Sequence, residues 1–177
     1  GAQEALPAWI ERDGRRVPLH WGLNRPLSSV RPGRIAFVYE TRQPHLRLIW
    51  EWRARAKFGP LEHRITLENL STGEYWLAPM ASLRVDWRVP ARAQLTHFYV
   101  EKGGGEPTAE GTHEVSTSAG YRWTGWSTTF AHPVPGRPRE IIPYEAVFLP
   151  EEGGRGWYAG LEFSGRTRLT FPDEPQM

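Results

Sequence analysis

The stretch Gly120–Pro133, GYRWTGWSTTFAHP, sets four aromatic residues among glycines and short hydroxyl side chains. Aromatic rings stack on the C–H faces of sugars, and Arg and hydroxyl groups bond to sugar oxygens, so residues of these types can hold a carbohydrate. A buried strand running into a turn has the same composition. Alternation separates the residues, because side chains of an extended chain point to opposite faces in turn. Tyr121 and Trp123 share one face, and Arg122, Thr124 and Trp126 share the other. One face belongs to a core, so at least one of Trp123 and Trp126 is expected to point away from it. For that residue, ligand contact, domain contact and an exposed structural aromatic remain open readings.

Catalytic constellations are sparse. Glycoside hydrolysis usually needs two carboxylates across the scissile bond. The three Asp residues are Asp13 in a turn, Asp86 near a strand end and Asp173 in the C-terminal tail. Glu162, in Leu161-Glu-Phe163, is the carboxylate to watch; its structural alternative is an outward strand residue paired with Arg166 or Arg168. No catalytic pair emerges. The six histidines, at 20, 45, 63, 97, 113 and 132, include no His-x-His or His-x-x-x-His spacing, and there is no cysteine. No metal site and no cofactor are therefore expected. There is no Gly-x-Ser-x-Gly elbow, and Lys102-Gly-Gly-Gly-Glu-Pro107 is a loop rather than a phosphate cradle.

These side chains must be positioned by strands. The 18 Gly and 16 Pro punctuate the chain too often for long helices. In His45–Arg55 the even positions are Leu46, Leu48, Trp50, Trp52 and Ala54, and the mostly charged odd ones are His45, Arg47, Ile49, Glu51, Arg53 and Arg55. This is the pattern of a strand with one apolar and one charged face. Leu61–Glu68 repeats it, Asn69–Gly73 reads as a turn, and Tyr75–Trp87 reads as extended again. Further strands are expected at 34–40, 94–100, 111–116, 120–126, 140–149, 156–163 and 166–171. Asp13-Gly14 is a hairpin signal in an otherwise turn-rich segment, 1–33, expected to pack on a sandwich formed by 34–177. The fold class is all-β, a two-sheet antiparallel β-sandwich. Trp9, Trp21, Trp50, Trp52, Trp76, Trp87 and Trp157 sit in or beside strands and read as core packing.

The net charge of +2 comes from cations spread along the chain, with no group larger than Arg12/Arg15/Arg16 or Arg53/Arg55/Lys57. A nucleic-acid partner is not expected. No apolar run approaches the ~18 residues of a membrane span, so no membrane partner is expected either. The start, GAQEALP, is compatible with a mature end left by signal removal.

Three motifs add a resemblance. Gly156-Trp-Tyr-Ala-Gly-Leu-Glu-Phe-Ser-Gly-Arg166 resembles the strand ending in aromatic-Ser-Gly in the N-terminal domain of family 36 α-galactosidases (melibiases). Ser127–Pro133 followed by Ile142-Pro-Tyr144 is similar to that domain's Ser-containing stretch and Pro-aromatic pair, and Phe58–Asn69 resembles one of its amphipathic strands. The likeness spans roughly residues 34–171, and it departs at Lys102–Glu110 and at Arg166, where the family pattern has Asn. It implies a supersandwich of the galactose mutarotase-like kind. In the family this domain precedes a (β/α)8 barrel whose two aspartates are catalytic; no strand–helix alternation occurs here, so neither role carries over to any position. What the resemblance implies is a non-catalytic domain, with carbohydrate, an absent barrel and a homo-oligomer as partners. The loop around Arg122, Trp123 and Trp126 is the candidate for walling a sugar pocket. A freestanding carbohydrate-binding module and a mutarotase-like enzyme, with Glu162 as base and His97 or His132 as acid, are the alternatives. The expected compartment is periplasmic or extracellular, with the cytoplasm as the other option.

Overall fold

The computed structural model describes residues 6–77, 81–86, 93–102, 111–118, 120–128, 139–150, 153–162 and 165–172. They form thirteen strands: β1 (Trp9–Arg12), β2 (Arg15–Pro18), β3 (Gly22–Leu23), β4 (Ser29–Arg31), β5 (Arg34–Glu40), β6 (Leu46–Ala54), β7 (Leu61–Asn69), β8 (Thr96–Glu101), β9 (Thr112–Ser116), β10 (Arg122–Ser127), β11 (Ile141–Leu149), β12 (Arg155–Gly160) and β13 (Thr167–Pro172). Every strand pair is antiparallel. The protein is all-β, as the alternation requires. Contacts divide it into two compact units, Gly1–Trp87 and Arg88–Met177.

In the first unit, β3, β5, β6 and β7 lie in that order, with β4 also paired to β5. The segment before residue 34 thus supplies two strands of this sheet, β3 and β4, and a separate β1–β2 hairpin. The hairpin turns on Asp13 (φ 51°) and Gly14 (φ 72°), the two consecutive positive φ values of a type I′ turn. Its strands bring Ile10 and Val17 onto Leu46, beside Leu19, Trp21, Leu67 and Tyr75. Burying each such aliphatic side chain stabilises the unit by roughly 1.5–3 kcal/mol. On the other face of the sheet, Arg47 lies between Glu40 and Glu68, Arg34 pairs with Glu51, and Arg55 pairs with Glu62.

Tyr75–Trp87 does not restart a strand over its described part. Trp76 makes only an isolated bridge to Glu11, and residues 81–86 are exposed without a strand partner among the described residues. Leu83 and Val85 are exposed, and among the described residues no strand pairs with them to turn their alternation into a ladder.

In the second unit the sheet order is β12-β11-β8-β9, and β10 pairs with β13 in a separate two-stranded ribbon. The register places His97 opposite Val115 and Val147, and Tyr99 opposite His113 and Glu145. These residues share one face, and the ribbon packs its Trp123 and Phe171 against it. Two antiparallel layers close over one another here, which is the sandwich element of the fold.

Candidate functional site

The ribbon positions most of the residues singled out above. Across it, Arg122 faces Pro172, Trp123 faces Phe171, Thr124 faces Thr170, Gly125 faces Leu169 and Trp126 faces Arg168. Along β10 exposure alternates: Trp123 is half-buried and Gly125 and Ser127 are buried, whereas Arg122, Thr124 and Trp126 are exposed. The ribbon therefore has one packed face and one exposed face.

The inner face is packed by rings. Trp123 meets His97 edge-on at 4.7 Å between centroids and Tyr99 at 4.8 Å, while Phe171 stacks on His97 at 5.0 Å. The Trp123 ring folds over Gly125, where an added Cβ would lie 2.5 Å from the indole and 2.6 Å from Ile141. Only glycine leaves room for that indole. His97 is 0% exposed. Its Nδ1 lies 3.1 Å from the Tyr121 hydroxyl, and its Nε2 lies 3.4 Å from Glu145 Oε2 without forming a hydrogen bond. Burial and the nearby charges of Tyr99 and Glu145 hold the Tyr121 phenol above its ordinary pKa. Next to this group, His113 stacks on Tyr99 at 4.6 Å and lies 3.3 Å from Glu101.

The outer face carries Arg122, Thr124, Trp126, Arg168 and Thr170, all exposed. Trp126 is 48% exposed, and the Arg168 guanidinium sits 5.5 Å from its ring centre. Such a cation–π contact orients both groups at a cost of little mobility. The end of β10 is pinned. The Thr128 backbone N–H donates to Glu140 at 2.8 Å, its hydroxyl donates to the same carboxylate at 2.7 Å, and the Lys102 ammonium lies 3.6 Å away. Those hydrogen bonds, with Lys102, hold the Glu140 carboxyl below its ordinary range.

Glu162 is exposed, just past the end of β12. It makes no ion pair with Arg166 or Arg168 among the described residues and is not among the groups that His97 touches. His132, like Trp87, lies outside the described residues. Among the described residues no three His, Asp or Glu side chains gather as a metal site, and no helix is long and apolar enough to cross a membrane.

Arg168 and Thr170 join this face although no sequence argument selected them as contact residues. Their own alternation was visible, but their pairing with β10 spans some forty residues and leaves no local signal. A second aromatic group went unnoticed as a unit. In the first sheet Phe37 stacks on Trp50 at 5.9 Å, and Trp50 and Trp52 meet His63 at 5.7 and 4.4 Å. All four are half-buried rather than core, and burial lowers the His63 pKa.

No protein-family model matches the chain, and neither a curated protein nor a solved structure matches it.

Proposed function

We propose that this chain is a non-catalytic β-sandwich domain that contacts carbohydrate, of the kind that family 36 α-galactosidases carry ahead of their barrel. The observation that carries this reading is Trp126: a half-exposed indole in a row with Thr124, Thr170 and Arg168, on a ribbon held rigid from beneath by Trp123 and Phe171. A fixed ring offers a stacking surface with little ordering cost, and the flanking hydroxyl and guanidinium groups supply directional contacts to sugar oxygens. Trp123 serves as the support of that surface. The partners in this reading are a glycan, a (β/α)8 catalytic domain outside this chain and a second copy of the protein, in a periplasmic or extracellular setting.

Calorimetry on the isolated chain with galactosides, glucans and mannans tests it. The expected result is measurable binding to at least one glycan, abolished by Trp126→Ala in a protein that keeps its circular dichroism and melting temperature. Trp123→Ala is expected to lower the melting temperature instead. Absence of binding by the folded wild-type chain to every glycan overturns the proposal. A freestanding binding module differs only in lacking the catalytic partner, which co-purification of a barrel domain separates.

A further inference from the structure

The sheet of the first unit ends in a strand that is paired on one side. β7 closes the order β3-β5-β6-β7, and its nine residues pair with β6 in unbroken register, from Leu61 opposite Ala54 to Asn69 opposite Leu46. Among the described residues no strand pairs with its other side. Sheet edges are commonly blunted by shortness, by proline or by a bulge. β3 and β4, at the opposite side of the sheet, have two and three residues, whereas β7 is long and has neither proline nor a shift in register. The ends of the β6–β7 ladder fix which backbone groups face outward. The Arg55 N–H donates to the Pro60 carbonyl at 3.3 Å, and the Leu70 N–H donates to that of His45 at 2.9 Å. Bonded and non-bonded pairs alternate along an antiparallel ladder, so Glu62, Arg64, Thr66 and Glu68 turn their backbone groups to β6. Those of His63, Ile65 and Leu67 point away from it.

The rows of side chains that end at this edge show what fits it. On the charged face, Glu40–Arg47–Glu68 ends in a carboxylate and Glu51–Arg64 ends in a guanidinium, with Thr66 midway between the two ends. On the apolar face, Phe37–Trp50–Ile65 and Tyr39–Leu48–Leu67 both end in aliphatic side chains. We infer that β7 pairs antiparallel with β7 of a second copy of this chain, about a two-fold axis at Thr66, joining the two sheets into one. In that register Arg64 meets Glu68 of the partner subunit, and Glu68 meets the partner's Arg64. Each charged row then continues across the axis with alternating sign. Ile65 likewise meets the partner's Leu67, so apolar rows run into apolar rows. Opposite charges and apolar side chains directly across a ladder favour the pairing, and like charges oppose it. A two-fold at Ile65 would set Glu62 against the partner's Glu68, and one at His63 would keep only Leu61–Ile65 in the ladder. The contact is self-complementary and closes at two copies. It rests on the strand edge and is independent of the carbohydrate reading.

The chain contains no cysteine, so a single introduced one reports the contact. Thr66 would face its own counterpart in a non-bonded pair, where Cα atoms lie about 4.5 Å apart, within disulfide reach. Thr66→Cys treated with oxidised glutathione is expected to give a disulfide-linked dimer. His63→Cys should give little, because in this register its counterpart lies about 20 Å away. Sedimentation of the full wild-type chain should show a monomer–dimer equilibrium. Arg64→Glu and Glu68→Arg, each checked for folding by circular dichroism, should each weaken it at least about tenfold. An equimolar mixture of those two variants should restore the dimer, since each supplies the charge that the other lacks; a folding defect is not repaired by mixing. A wild-type chain that stays monomeric at about 0.5 mM overturns the inference. So does cross-linking through His63→Cys in place of Thr66→Cys, or a dimer whose strength Arg64→Glu leaves unchanged.

Discussion

Beneath the β1–β2 hairpin the first unit buries Ile10, Leu19 and Leu46; beneath the β10–β13 ribbon the second buries His97, with Tyr121 and Glu145 beside it. In the first, charge stays at the surface in Glu–Arg pairs, and the packed face is aliphatic where the hairpin covers it. In the second, polar groups sit in the interior, and the exposed Trp126 and Arg168 face each other outside. An aliphatic core excludes water and is indifferent to ring orientation. A buried imidazole between a phenol and a carboxylate fixes the orientation of each neighbour, at a cost in desolvation. The lesson is that the second unit carries the features expected of a site: rigid rings beneath, exposed functional groups above.

The comparison breaks first at the aliphatic end. Leu48 is 0% exposed in β6, so Leu48→Ala is expected to destabilise the protein by roughly 2–5 kcal/mol, read from urea unfolding. A loss below about 1 kcal/mol would show that the first unit does not depend on tight packing there. The polar interior behaves differently. Glu145→Leu breaks no hydrogen bond and removes a buried oxygen that has no partner, so it should change stability by less than about 1 kcal/mol. His97→Leu should cost more, about 1–3 kcal/mol, because the ring packed on Trp123 and Phe171 is lost. Simple additivity of the two substitutions in a double-mutant cycle would mean that the two groups do not sense each other.

The pH limits of the two units should differ in sign. Burial lowers the His63 pKa, so the folded state favours the neutral ring. The unfolded chain then binds more protons, and this contribution is full above about pH 6.5 and lost as pH falls through the folded value. Tyr121 is the reverse case: its folded pKa is raised, so its contribution is full below about pH 10 and lost as pH rises through the folded value. Melting temperature against pH should therefore lose part of its acid limb in His63→Leu and part of its alkaline limb in Tyr121→Phe. Identical pH profiles in wild type and both variants would remove this distinction.

Much of this architecture was legible. Leu46–Ala54 announces itself by alternation of apolar and charged residues broken only at Ile49, and Asp13-Gly14 supplies the two residues that a type I′ hairpin demands. The opposite orientation of Trp123 and Trp126 followed from period two alone. Pairings between strands distant in the chain were not legible. Trp126 meets Arg168 because β10 and β13 come together across the intervening β11 and β12, and no residue near either one encodes that register. The surroundings of His97 were equally hidden: the sequence offered it as an alternative acid, and only the placing of its strand under a layer of rings shows it packed against Trp123 and Phe171. The division at Trp87/Arg88 falls in a segment whose composition resembles its flanks, whereas the glycine run at 103–105, which looks like a linker, does not mark it.

The smallest expected effect sharpens the contrast between matched and unmatched cations. Arg34 bonds to Glu51 across β5 and β6 on a half-exposed surface, where such pairs are worth about 0–1 kcal/mol and weaken with salt. Arg34→Gln should lower stability by an amount in that range at low ionic strength, and the difference should shrink as NaCl is added. Arg168→Gln breaks no ion pair among the described residues, so it should leave stability within about 0.5 kcal/mol at every salt concentration. A matched cation would then register in folding, and the unmatched one only in binding. If Arg168→Gln instead destabilises the protein more than Arg34→Gln does, the stack on Trp126 holds the ribbon together, and Arg168 belongs to the fold rather than to a ligand.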